Sequence, residues 1–168
     1  MTINESTKFF IYRMPNHDCL NQTLTHNEIA LLDNSAASLR QVFQQFSQTA
    51  VRPDIILFIC VQGKQHFSGV CKVTSTELTS EFRDDWSLFW QGTFKAAIKV
   101  QWLIPFCEVP FSKVSALVGP VFARSKAPPD ASNDNVFDQV EYFTMRQKSL
   151  FEMSNEVGLQ LSRQYVEH

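Results

Sequence analysis

Apolar and polar positions fall in blocks along the chain, and each block has the period of a definite element. Residues 1–7 are polar and are expected to form a flexible N-terminus. Lys8–Arg13 (KFFIYR) reads as a strand. Pro15 to Thr25, rich in Asn, Asp and Thr, reads as loop or short helical turns. Asn34-Ser35 can cap a helix. In it Leu39, Val42, Phe43 and Phe46 fall at i, i+3, i+4 and i+7, which predicts one apolar face. Arg52-Pro53-Asp54 ends that connection.

Ile55–Val61 (IILFICV) is a continuous apolar run rich in β-branched residues, the pattern of a strand buried on both faces. Gln62-Gly63-Lys64-Gln65 is a turn and His66–Val73 a returning strand, so the two form a hairpin. Thr74 to Asp85 is polar, and Trp86–Phe94 is aromatic-rich around a single glycine. Ile98, Val100, Trp102 and Ile104 alternate with Lys99, Gln101 and Leu103, which predicts another strand. Pro105 and Pro110 are expected to interrupt regular structure after that strand. Lys126–Asn135 (KAPPDASNDN) reads as loop, and Val136, Val140, Phe143, Leu150 and Phe151 suggest a C-terminal helix. Strands interleaved with few helices imply an α+β fold, a small curled sheet or barrel flanked by helices.

Composition narrows this picture. A chain of 168 residues with 44% hydrophobic content suits one domain with a real core, and 15 phenylalanines carry much of the burial. The net charge of −2 and pI near 6.1 exclude a broadly basic nucleic-acid-binding face, so any such site must be a local basic rim. Cys19, Cys60, Cys71 and Cys107 form no C-x-x-C pair and read as buried free thiols of a reducing compartment. The N-terminus has no signal-peptide pattern, and the longest apolar run is too short to cross a bilayer. The expectation is an intracellular protein, in cytoplasm or nucleus, with no membrane association.

Catalytic groupings do not emerge. Asp84 and Asp85 sit in a polar loop, and His17, His26, His66 and His168 show no metal-ligand spacing with cysteines or acids. Five glycines leave little room for a phosphate-cradling or dinucleotide-binding loop. The chain is expected to be no enzyme and to need no metal or cofactor.

One set of segments, in order, carries a family resemblance. Leu57–Val70 (LFICVQGKQHFSGV) has a strand, a Gly-containing turn and a His-Phe-x-Gly-Val strand. Phe9-Phe10-Ile11 with Arg13 precedes it. Gly92-Thr93-Phe94-Lys95, Trp102-Leu103-Ile104 and Val109-Pro110-Phe111 come after it. Together these resemble the YTH family of RNA-binding modules, most strongly over 8–112 and more weakly to about 135. The resemblance implies a single domain over 8–168, with a curled six-stranded sheet or barrel of YTH/PUA-like type. It also implies a function: binding single-stranded RNA, with recognition of N6-methyladenosine in an aromatic pocket. The general physics suits this, since an RNA reader stacks an unpaired base on aromatic rings and bonds its edges. One extra methyl group buried there is worth about 0.8 kcal/mol.

Carried over position by position, the family's first cage tryptophan falls on Ile29, and the Asn or Asp that bonds the adenine ring falls on Cys19. Both depart from the pattern, because isoleucine has no stacking face and a thiol is a poor hydrogen-bonding partner. Trp86 falls on the second cage tryptophan and Trp90 near the third. Arg13 matches the lysine that grips the RNA backbone, and a guanidinium keeps that chemistry. Asn133 stands where the family has a late arginine. The implied partner is RNA, including methylated mRNA. The departures leave a second reading open, a diverged module that binds protein partners, through its C-terminal segment among others. Each also has a plain structural reading: Trp86 and Trp90 as core side chains, Ile29 as ordinary core, Cys19 as a buried thiol, Trp102 as core within its strand and His66 as a structural histidine.

Overall fold

The computed structural model describes residues 7–14, 17–31, 33–48, 52–75, 77–78, 96–123 and 150–167. Six strands and four helices are present there. They are β1 Lys8–Met14, α1 His17–His26, β2 Glu28–Leu31, α2 Asp33–Phe46, β3 Ile55–Val61 and β4 His66–Val73. They continue with β5 Ala96–Pro110, α3 Phe111–Ala123, β6 Leu150–Met153 and α4 Asn155–Glu167. The strands form one sheet in the order β2-β5-β4-β3-β1-β6. β1 and β3 run parallel, and the other pairs are antiparallel.

β3 lies at the centre, and every one of its seven residues is buried. Its alternation sorts the core into two layers. Ile55, Leu57, Ile59 and Val61 face a layer closed by α1, α2 and β2, with Leu20, Leu39 and Phe46 among its members. Ile56, Phe58 and Cys60 face a second layer closed by α3 and α4, with Val118, Leu161 and Tyr165. Burial on both faces is why this run has no polar alternation. The β3–β4 turn closes through the Lys64 N–H on the Val61 carbonyl, at 3.0 Å. Its third residue, Gly63, has φ +86°, which favours glycine.

The sheet is curled, and one hydrogen bond proves it. β1 and β2 are four strand positions apart, about 19 Å in a flat sheet at ~4.8 Å per strand. Yet the Tyr12 hydroxyl on β1 donates to the Ala30 carbonyl on β2 at 2.8 Å, in the buried interior. Only a sheet rolled toward a barrel brings them together. Replacing Tyr12 with phenylalanine leaves that carbonyl without its phenolic donor. The expected loss is about 1 kcal/mol, read from urea denaturation at unchanged slope. Burial, and secondarily Cys19, pushes the Tyr12 hydroxyl far above the ordinary phenol range.

Several segments differ from the expectation drawn from sequence. Thr7, placed in the flexible N-terminus, is 1% exposed, beside the Lys8 N–H that donates to the Asp54 carbonyl. Residues 17–26 are a full helix rather than loop, because Cys19, Leu20 and Thr23 give that polar stretch one buried face. β2 is a four-residue edge strand too short to announce itself. β5 runs through Pro105 instead of ending there. β2 covers only Ala96–Lys99 of it, and its pairing with β4 shifts register between Phe67 and Gly69. A proline is tolerated where an edge or a bulge spares its missing donor. Pro110 immediately precedes α3 rather than a loop, and that helix is kinked at Val114 and contains Pro120. Leu150 and Phe151, read as helical, form β6 against Tyr12 and Ile11. The C-terminal helix comes after it, while residues 136–149 and the expected loop at 126–135 lie outside the described residues.

Candidate functional site

The linkage from α1 to β2 fixes two of the candidate positions, Cys19 and Ile29, that lie within the described residues. Asn27 ends α1 in the left-handed region, at φ +57°, where asparagine is among the best tolerated side chains. Its N–H bonds the Thr23 carbonyl at 2.8 Å, and its carbonyl accepts from the Val100 N–H at 2.9 Å. The chain therefore turns directly from α1 into β2, pinned to β5.

This turn brings Cys19 and Ile29 into the same buried layer, which also holds Tyr12. Ile29 lies opposite Ile98 across the β2–β5 pair. Both residues are sealed, Cys19 at 2% exposed and Ile29 at 1%. Cys60 and Cys71 are likewise buried free thiols, and burial holds the Cys71 thiol well above its usual range. Trp86, Trp90 and Asn133 lie outside the described residues.

Arg13 is placed differently. It shares the parity of Phe9 and Ile11 on β1, so it projects toward the α3/α4 layer, opposite to Cys19 and Ile29. It is 9% exposed, near the end of the strand. Trp102, read as core, is half-buried against the Cys19/Ile29 layer, with its ring over Gly69.

Sequence reasoning missed a third feature. Where α1 begins, beside the β3–β4 turn and the end of β5, lies a cavity of about 180 Å³. His17, Leu20, Lys64, His66, Ser68 and Glu108 line it. His66 has Nδ1 3.2 Å from the Phe67 carbonyl and Nε2 4.0 Å from the Glu108 carboxylate. Periodicity could not have found it, because its members come from three separate stretches of the chain. Among the described residues, no three histidines, cysteines or carboxylates are grouped to hold a metal. No helix there is long and apolar enough to cross a membrane.

Solved structures share this architecture. The YTH domain of Zygosaccharomyces rouxii MRB1, in complex with N6-methyladenosine RNA, matches at TM-score 0.64 and 12% identity. That match covers 98% of this chain and 90% of the other. The Pho92 YTH domain in complex with m6A matches at TM-score 0.72 and 13% identity, over 98% and 89%. The YTH domain-containing protein mmi1, in complex with RNA, matches at 0.63 and 14%, over 96% and 82%. At such identities the likeness is one of fold. No curated protein matches in sequence. The family model of the YT521-B-like domain matches residues 7–134, which spans β1 through α3 and includes Cys19, Ile29, Trp86, Trp90 and Asn133. This chain belongs to the YT521-B-like, or YTH, domain family.

Proposed function

We propose that this chain is an RNA-binding module that draws one unpaired base, N6-methyladenosine, out of a single strand. The observation that carries this reading is the family match over residues 7–134 on a sheet shared with domains solved with methylated RNA. Trp86 and Trp90 supply the aromatic walls, and Ile29 with Cys19 supplies an apolar floor. Arg13 and Asn133 hold the strand's phosphates. A floor of isoleucine and thiol favours the methyl group by burial rather than by bonding the ring nitrogens. No reaction is performed on the base, so the module is a reader and not an enzyme. One reading unit extends from residue 8 through α4, and the protein works inside the cell, on RNA.

Binding of short RNAs with and without a central N6-methyladenosine tests this, at one stated salt concentration. The methylated strand is expected to bind about fourfold tighter, the worth of one buried methyl group. Trp86→Ala is expected to weaken both by roughly tenfold or more, since one base–aromatic stack is worth about 1–3 kcal/mol. Equal affinity for the two strands, untouched by the substitution, overturns the reading.

A second reading has its own observation. Ile29 and Cys19 are both closed within the core, as they would be in a module whose pocket has filled and which binds protein partners instead. Absence of RNA binding at low salt would favour it.

A further inference from the structure

We propose that the cavity between α1 and the β3–β4 hairpin is a phosphate site, taking a backbone phosphate of the RNA strand and part of its sugar. Its lining is the reason. Lys64 brings an amine from the turn, and His17 and His66 bring two imidazoles from α1 and β4. Ser68, 8% exposed, adds a hydroxyl from deeper in the wall. Leu20 gives an apolar floor for a ribose. The volume of about 180 Å³ exceeds what a phosphate alone fills, which leaves room for the sugar.

The His66 ring is already oriented for an anion. A carbonyl only accepts, so the contact with the Phe67 carbonyl places a proton on Nδ1. Nε2 then points to the side where Glu108 stands, 4.0 Å away. That distance is loose for an ion pair, and the Glu108 side chain is 74% exposed. Glu108 thus occupies, weakly, the place of an external anion, and a phosphate entering the cavity takes it over. Protonated at Nε2, His66 donates to the phosphate oxygen that replaces the Glu108 carboxylate. Arg13 points to the other face of the sheet, so the site does not depend on it.

The source of the phosphate rests on the RNA-binding reading above, whereas the cavity's chemistry does not. Titrating the protein with inorganic phosphate, at ionic strength fixed with chloride, separates the two. The His17 and His66 imidazole proton resonances are expected to shift with saturation. Lys64→Ala is expected to weaken the site about tenfold, the worth of one charge-assisted hydrogen bond. Glu108→Gln is expected to tighten it. Both residues are exposed, and a backbone amide spectrum confirms that each variant remains folded. An unmethylated short RNA is expected to move the same two resonances. Shifts that follow ionic strength alone, or a Lys64→Ala titration identical to wild type, overturn the proposal. RNA that binds without moving either imidazole overturns it while leaving RNA binding intact. Saturation by phosphate with no binding of RNA overturns the strand as its source, together with the RNA-binding reading.

Discussion

Phe58→Ala is expected to cost about 3–5 kcal/mol of stability, the range for truncating a fully buried phenylalanine. Phe58 sits at the middle of the central strand with no exposure at all. Its ring stacks on Phe9 of β1 at 6.2 Å, meets Phe67 of β4 edge-on at 6.2 Å, and lies 5.6 Å from Tyr165 of α4. Three elements, two of them distant in sequence, therefore converge on one side chain. Truncation removes apolar surface and leaves a cavity lined by rings on rigid elements, which cannot collapse into it. Urea denaturation reads the loss directly, and the melting temperature is expected to fall by roughly 6–20 °C for a chain of this size. A loss under about 1.5 kcal/mol would mean that the helices close over the gap and that the aromatic layer is not rigid.

The same aromatic layer shows what sequence patterns carry and what they do not. Ile55–Val61 is legible because both faces are apolar, so burial needs no phase. The α2 face is legible because Leu39, Val42 and Phe46 repeat at helical spacing, and all three are buried. Phe43, on that face, is only half-buried and lies instead beneath the Arg52 guanidinium, 5.0 Å from its ring centre. β2 is not legible. Four residues hold no period, and its place depends on Asn27 turning the chain and on pairing with a strand roughly 70 residues later. β6 is hidden for a related reason: Leu150 and Phe151 are apolar neighbours whose partners, Tyr12 and Ile11, lie at the other end of the chain.

The candidate pocket divides along the same line. Cys19 and Ile29 stand out only by position within a resemblance, and the fold does bring them into one layer. Their burial agrees with the plain reading of a buried thiol and a core isoleucine, which the sequence offered beside the pocket role without deciding between them. Arg13 cannot be assigned a face until β1 is seen to alternate between the two core layers. Cys19 also has a structural duty beside Tyr12, whose hydroxyl fastens the curl. A residue this deep in the curl's core resists change, so polar replacements at Cys19 would disturb the scaffold before they could test the proposed pocket. That makes Trp86 a cleaner place to test base recognition than Cys19.

Gly158→Ala is the second large effect expected, and helix propensity predicts the wrong sign for it. Alanine is favoured over glycine within a helix by about 1 kcal/mol, and Gly158 lies inside α4. But a Cβ there would stand 2.7 Å from Cδ1 of Phe9 and closer still to its Cγ and Cδ2. Phe9 is fully buried and stacked on Phe58, so its ring has nowhere to go. The helix must lift from the sheet, and overpacking of this kind costs typically about 1–3 kcal/mol and occasionally more. With overlaps this deep against a ring that cannot move, the cost is expected in the upper part of that range, about 2–3 kcal/mol, which leaves a net loss of roughly 1–2 kcal/mol after the propensity gain. A double-mutant cycle with Phe9→Ala isolates the cause. Alanine at that position removes Cγ and both Cδ atoms that the new Cβ meets, so the two substitutions together are expected to cost less than their sum. Strict additivity, or stabilisation by Gly158→Ala alone, would show that α4 does not seat its glycine on Phe9.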